Sequence, residues 1–128
     1  MSEGEELPLL VVPAGGGEVA VPLEDVEEIV PSPRVVRAAE GDRIEGRDLP
    51  YVDLGAALGM GSAGTPSRAL VSGGIAYGIA GPGRVVRARA GGLRPLPPFL
   101  RAMEGRGVLG VLAGEGMVVP VVDLRRLA

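Results

Sequence analysis

Few residues of this 128-residue chain could do chemistry, and two of them occur in matched surroundings. Asp53 lies in Leu49-Pro50-Tyr51-Val52-Asp53-Leu54, and Asp123 lies in Val119-Pro120-Val121-Val122-Asp123-Leu124. A pair of carboxylates can divide general-acid and general-base work. The rest of the inventory gives such a pair no support. His, Cys, Lys, Asn and Gln are all absent, and the hydroxyls amount to five Ser, one Thr and two Tyr. A Ser-His-Asp triad, a thiolate nucleophile, a Schiff-base lysine and a His/Cys zinc site are therefore excluded. The better use of each Asp is as a helix cap. Its carboxylate would accept from the first amides of a short helix, over 54–58 in one case and from Leu124 onward in the other. Tyr51 and Tyr77 could line a groove, although anchoring a core or an interface is the ordinary task of tyrosine.

The elements that would position these residues are short strands. Leu7–Pro13, an Ala-Gly-Gly-Gly turn and Glu18–Leu23 read as a hairpin, with Val19 and Val21 on one face and Glu18 and Ala20 on the other. Glu24–Val30 allows one helical turn or another strand; the run into Pro31 favours the strand. A polar segment follows, with a strand near Arg34–Ala38, and then the first Asp phrase. The stretch 59–67 is small and turn-rich and serves as a linker. Beyond it the pattern returns. Ala69–Val71 and Ile75–Ile79 form a hairpin with Ile75, Tyr77 and Ile79 on one face. Arg84–Ala90 alternates, Pro97 and Pro98 open a short helix, and a last hairpin turns at Gly114–Gly116 before the second Asp phrase. Each half thus contains hairpin strands and a strand-Asp-helix ending. The expectation is an all-β chain of two small barrels, split near 59–67, with strands either kept within each half or exchanged between them, and too few copies for a solenoid.

Composition agrees. Gly and Pro together number 34, but they punctuate short apolar runs as turns do. With three aromatics in the chain, Val, Leu, Ile and Ala must fill the core. The acidic opening, residues 1–6, reads as a disordered tail and not as a signal peptide. No apolar run reaches membrane-spanning length, so the expected location is cytoplasmic, without membrane insertion. Residues 1–64 carry 13 acids and four arginines, net −9, whereas 65–128 carry three acids and nine arginines, net +6. Two readings stand side by side: solvated charge on different sides of one fold, or a polar molecule suited to head-to-tail self-association or to hetero-assembly. The basic half lacks a stacking cluster of aromatics, which argues against nucleic acid.

Taken in order, five features resemble the CheW-like domain of bacterial chemosensory systems. They are the hairpin ending in Glu18–Val30, the phrase from Gly46 to Gly59, the stretch from Ala69 to Val86, Leu93–Pro98, and the closing Val108–Leu127. The resemblance spans about residues 8–127. It implies two five-stranded SH3-like barrels packed around a shared core, with short helices after the Pro-x-Val-Asp-Leu strands. It also implies a non-catalytic adaptor without cofactor or metal. Such domains couple chemoreceptor tips to the regulatory domain of the histidine kinase CheA, itself CheW-like, and build arrays with it.

The resemblance also implies a partner-binding segment, which falls on Val26 and Glu28 with Ile29 beside them. Val26 and Ile29 also fit simple core roles. The family usually follows with a longer stretch closing in Leu-Arg-Gly, whose Arg can pair with the Glu. Here the stretch is several residues shorter and reads Arg43-Ile44-Glu45-Gly46. Glu45 occupies the Arg position and would repel Glu28, unless Arg43 or Arg47 takes over the pairing. On that reading the chain is a divergent adaptor that keeps one of two usual contacts, or an interaction module acting outside classical chemotaxis.

Overall fold

The computed structural model describes residues 6–62, 64–96, 98, 107–114 and 117–127. Pro97 and residues 99–106, over which the helix expected to open at Pro97–Pro98 would run, and the Glu115–Gly116 part of the last turn fall outside these residues, as does the tail up to residue 5. Glu6 does not belong to the tail: it opens the first strand.

Twelve strands form in chain order: β1 Glu6–Ala14, β2 Gly17–Pro22, β3 Glu28–Pro31, β4 Val35–Ala38, β5 Gly41–Ile44, β6 Tyr51–Asp53, β7 Arg68–Ser72, β8 Ile75–Ile79, β9 Arg84–Arg89, β10 Leu93–Arg94, β11 Val108–Gly114 and β12 Met117–Val122. One α-helical turn, α1, spans Leu54–Ala57, and short 3-10 turns occupy Leu23–Asp25, Ala90–Gly92 and Leu124–Arg126. The ambiguous Glu24–Val30 stretch is resolved as both options in succession, a 3-10 turn and then β3. Strand β5, with Gly, Asp and Arg in its four residues, was not expected from its composition.

The strand order explains why the Asp phrase occurs twice. One sheet runs β10-β11-β12-β2-β1-β9, and a second runs β3-β7-β8-β6. The β4-β5 hairpin joins the free side of β6 through an Arg43–Pro50 bridge and the Ile44 N–H donating to the Leu49 carbonyl at 3.0 Å. The second set therefore reads β4-β5-β6-β8-β7-β3, which repeats the first order with every number shifted by six. Each half of the chain has lent its leading hairpin to the other half. Strand β12 runs parallel to β2, and β6 runs parallel to β8. The sheets thus cross the 59–67 linker, and each barrel has six strand segments where the resemblance implies five. The all-β architecture stands.

Exchange also explains the apolar sequence of the hairpins. Leu10, Val12, Val19 and Val21 meet Leu70, Tyr77 and Ile79 in a central core shared by both barrels. The opposite faces enter separate interiors: Leu9, Val11 and Ala20 with Val119 and Val121 in the first barrel, and Ala69, Val71 and Ala76 with Ile44 in the second. A strand buried on both faces needs an almost unbroken apolar run, and both hairpins have one.

Both aspartates cap. The Asp53 Oδ1 accepts from the Ala56 amide at 2.9 Å, and the Asp123 Oδ1 accepts from the Arg125 amide at 3.1 Å. Each capped turn then docks on the opposite barrel. The Tyr77 hydroxyl, on β8, donates to the Leu124 carbonyl at 2.8 Å inside the core. On the other side α1 meets the β1-β2 turn, where the Gly16 amide donates to the Met60 carbonyl at 3.0 Å. A Cβ on Gly55 would lie 2.2 Å from the Gly61 carbonyl oxygen and 2.5 Å from the Gly15 nitrogen, so only glycine permits this approach.

Charge sorts differently once strands are assigned. Residues 23–79, which build the second barrel, hold nine acids and five arginines, net −4, and the rest of the chain is net +1. The sequence contrast between halves is therefore much reduced by the exchange of strands.

Candidate functional site

The segment Val26–Ile29 leaves the first barrel at the 3-10 turn and enters the edge of the second. Its path is fixed by the Val26 amide donating to the Leu23 carbonyl at 3.1 Å and the Glu27 amide donating to the Val71 carbonyl at 2.8 Å. The Glu27 carboxylate then accepts from the Gly73 amide at 3.1 Å, tying the segment to the β7-β8 turn. Val26 is half-buried against the central core. Ile29 is not core: 44% of it is exposed, one residue from Glu28.

Arg47 answers Glu28. Its two terminal nitrogens donate to the two carboxylate oxygens at 2.7 and 2.6 Å, a bidentate pair across 19 residues. These hydrogen bonds hold the Glu28 carboxyl below the usual carboxylate range and push the Arg47 guanidinium upward. Both side chains remain well exposed, so the pair adds little to stability and its role is geometric: it presents an ordered, planar charge pair at the edge of the second barrel.

The expected Glu45–Glu28 repulsion does not occur. After β5 the chain turns tightly, with the Arg47 amide donating to the Ile44 carbonyl at 3.2 Å and the Glu45 amide donating to the Arg34 carbonyl at 2.7 Å. Gly46 sits at φ +79°, a left-handed position within this turn. Glu45 is thereby carried to the β4 side, where its carboxylate lies 3.5 Å from Arg34 Nε. Arg47 is carried toward Glu28. Arg43 does not substitute either, because it pairs with Asp48 and approaches Glu40 at 3.9 Å. Ile44, in the position of the family's Leu, is buried in the second barrel's interior. The structure thus brings Glu28 and Arg47 together at the turn set by Gly46; Ile29, the next residue of β3, is exposed but points to the other face of the strand, and Glu45 and Arg43 pair elsewhere.

A second surface feature was not foreseen. Leu7, Pro22, Leu93, Arg94, Pro95, Leu109, Gly110 and Val121 line a mostly apolar cavity of about 270 Å³ at the first barrel. The β11-β12 register slips between Val108 and Gly110, and this bulge leaves Leu109 half-exposed at the cavity. Its lining comes from five separate stretches of the chain, so no local pattern announces it.

The tyrosines are structural. Tyr77 is fully buried, and burial pushes its hydroxyl pKa up. Tyr51 packs over Gly78, where an added Cβ would overlap its ring. Its hydroxyl is buried without a hydrogen-bond partner, and burial, with Asp53 and Asp42 adding to it, pushes its pKa up to about 12. Among the described residues no group of three or more Asp or Glu could hold a metal ion, and no helix is long and apolar enough to cross a membrane.

No protein-family model and no curated protein matches this sequence. Solved structures do. The crystal structure of the scaffolding protein TtCheW from Thermoanaerobacter tengcongensis superposes with a TM-score of 0.76, covering 96% of this chain and 92% of that one, at 18% identity. Nearly every element of one chain has a counterpart in the other, although fewer than one residue in five is shared. The likeness shows the fold: this chain has the architecture of a CheW-like domain.

Proposed function

We propose that the protein is a non-catalytic chemosensory adaptor, coupling a chemoreceptor's cytoplasmic tip to the regulatory domain of a CheA-type histidine kinase. The carrying observation is the end-to-end likeness to a scaffolding protein, joined by an exposed Glu28–Arg47 pair and by exposed Ile29 on the same strand. Affinity in such a protein comes from apolar contacts rimmed by charge, and this surface has that composition. Val26 supports the segment from below. The protein would work in the cytoplasm, recruited to membrane-associated receptor arrays.

The reading of a lost partner contact rested on Glu45 facing Glu28. With Arg47 in that place, the repulsion that argued for the loss is gone. An interaction module acting outside chemotaxis is then the outcome if the following test fails. Receptor-containing membranes and the CheA-type kinase of the same cell are mixed with and without the protein, and kinase autophosphorylation is followed. The adaptor reading expects receptor control of the kinase only when the protein is present. Equal rates with and without it would contradict the reading.

A further inference from the structure

Four ladders join the two halves of the chain: β1 with β9, β2 with β12, β3 with β7, and β6 with β8. Every one of them pairs a strand before the linker with a strand after it. The central core is shared in the same way, with hairpin residues from both halves. The two halves are covalently joined only through the linker. That linker is pinned at one end by the Met60 amide donating to the Gly55 carbonyl at 2.7 Å and at the other by the Ser67 amide donating to the Ile79 carbonyl at 3.0 Å. Between these anchors Gly61 and Gly64 hold φ of +95° and +69°. A Cβ at either would meet nothing within 4 Å, so what those positions require of glycine is backbone conformation and not space.

We infer that the chain can associate with a second copy of itself by reciprocal exchange about residues 61–66, the first half of each copy closing on the second half of the other. The exchanged dimer keeps all four ladders and the shared core. What separates it from the monomer is the loss of rotational and translational freedom and the path of the linker. The left-handed glycines favour the folded-back path and hold the monomer. Residues that resist positive φ at these positions would extend the linker and favour exchange. An exchanged dimer would carry two Glu28–Arg47 surfaces on one particle, which multiplies its value as a scaffold by avidity. The inference stands whether or not the partners are a receptor and a kinase.

The chain has no cysteine, so the pair E6C/R89C, at directly opposed positions of β1 and β9, reports which chains are joined. With the native linker at micromolar concentration, oxidation should give an intramolecular disulfide and a 13.0 kDa particle. Adding G61V/G64V should shift the monomer–dimer equilibrium at least about 100-fold toward dimer, with native circular dichroism and a disulfide that now joins two chains on a non-reducing gel. A native-like monomer with an intramolecular disulfide at every concentration would overturn the inference. So would a dimer whose disulfides stay intramolecular, which is surface docking without exchange. Should the valine variant not fold, the native-linker reporter is unfolded in denaturant and refolded dilute and concentrated. The intermolecular fraction must rise with concentration, and a wholly intramolecular product at both overturns the inference equally.

Discussion

Arg47 reaches Glu28 with two parallel hydrogen bonds of 2.7 and 2.6 Å, from one residue past the turn glycine rather than one residue before it. The position where the resemblance to CheW-like domains implies a pairing arginine holds Glu45, and the turn sends that acid to Arg34 instead. A one-residue offset across a left-handed glycine therefore preserves an ion pair that the linear pattern had broken.

If the pair organises a binding surface, reversing one charge should weaken partner binding and reversing both should recover part of it. Glu28→Arg and Arg47→Glu are each expected to lower affinity for the partner at least about tenfold, with the double variant closer to the parent. Thermal midpoints should move by no more than about 2 °C, because an exposed pair adds little to stability. Additive losses in the double variant would show that the two residues act separately.

Glu45→Arg separates the structural reading from the linear one. Glu45 is exposed and engaged with Arg34, so its reversal should leave partner affinity within about twofold. A marked gain in affinity would mean that position 45 faces the partner-binding surface after all.

Tyr51 offers a stability test with a defined sign. Its folded pKa is raised from 10.0 to about 12. The protonated ring is therefore favoured by the folded state, and that preference is complete below pH 10. As pH rises from 10 to 12 the unfolded chain ionises first and stability falls, by about 1 kcal/mol after allowing for a half-buried ring. Tyr51→Phe should flatten part of this decline in denaturant titrations at pH 8 and pH 11. At neutral pH it should be neutral or stabilising by up to about 1 kcal/mol, since it removes a buried hydroxyl with no partner.

The contacts between barrels predict two losses of stability. Tyr77→Phe removes one of two donors to the Leu124 carbonyl, which also accepts from the Leu127 amide at 3.1 Å, and should cost about 1 kcal/mol. Gly55→Ala forces a Cβ into the backbone of Gly61 and Gly15 and should cost about 3 kcal/mol. Chemical denaturation of both variants checks the order, and a Gly55→Ala protein as stable as the parent would disprove the close approach.

Much of the local structure is written in local chemistry. The Asp53 and Asp123 caps, the Gly73-Gly74 hairpin and the alternation of β2 could be read from neighbouring residues, because each depends on contacts within a few positions. Strand β5 could not, since Gly41 and Asp42 are poor strand formers and it exists by pairing with β4 and bridging to Pro50. The exchange of hairpins is a property of long-range pairing. Sequence symmetry suggests two equivalent halves, but it is equally satisfied by each half keeping its own hairpin. The Glu28–Arg47 pair was left open for a related reason: which arginine reaches the acid is decided by the turn at Gly46, not by spacing.

The central proposal is that this protein of CheW-like fold is an adaptor working through the segment that carries Glu28, Ile29 and the paired Arg47. Titration calorimetry of the intact protein against its host's CheA-type regulatory domain, and separately against a chemoreceptor tip fragment, tests it most directly. The account predicts micromolar binding to at least one of them, and a loss of about tenfold or more for Glu28→Arg in that titration. A folded protein that produces no heat with either partner would contradict it.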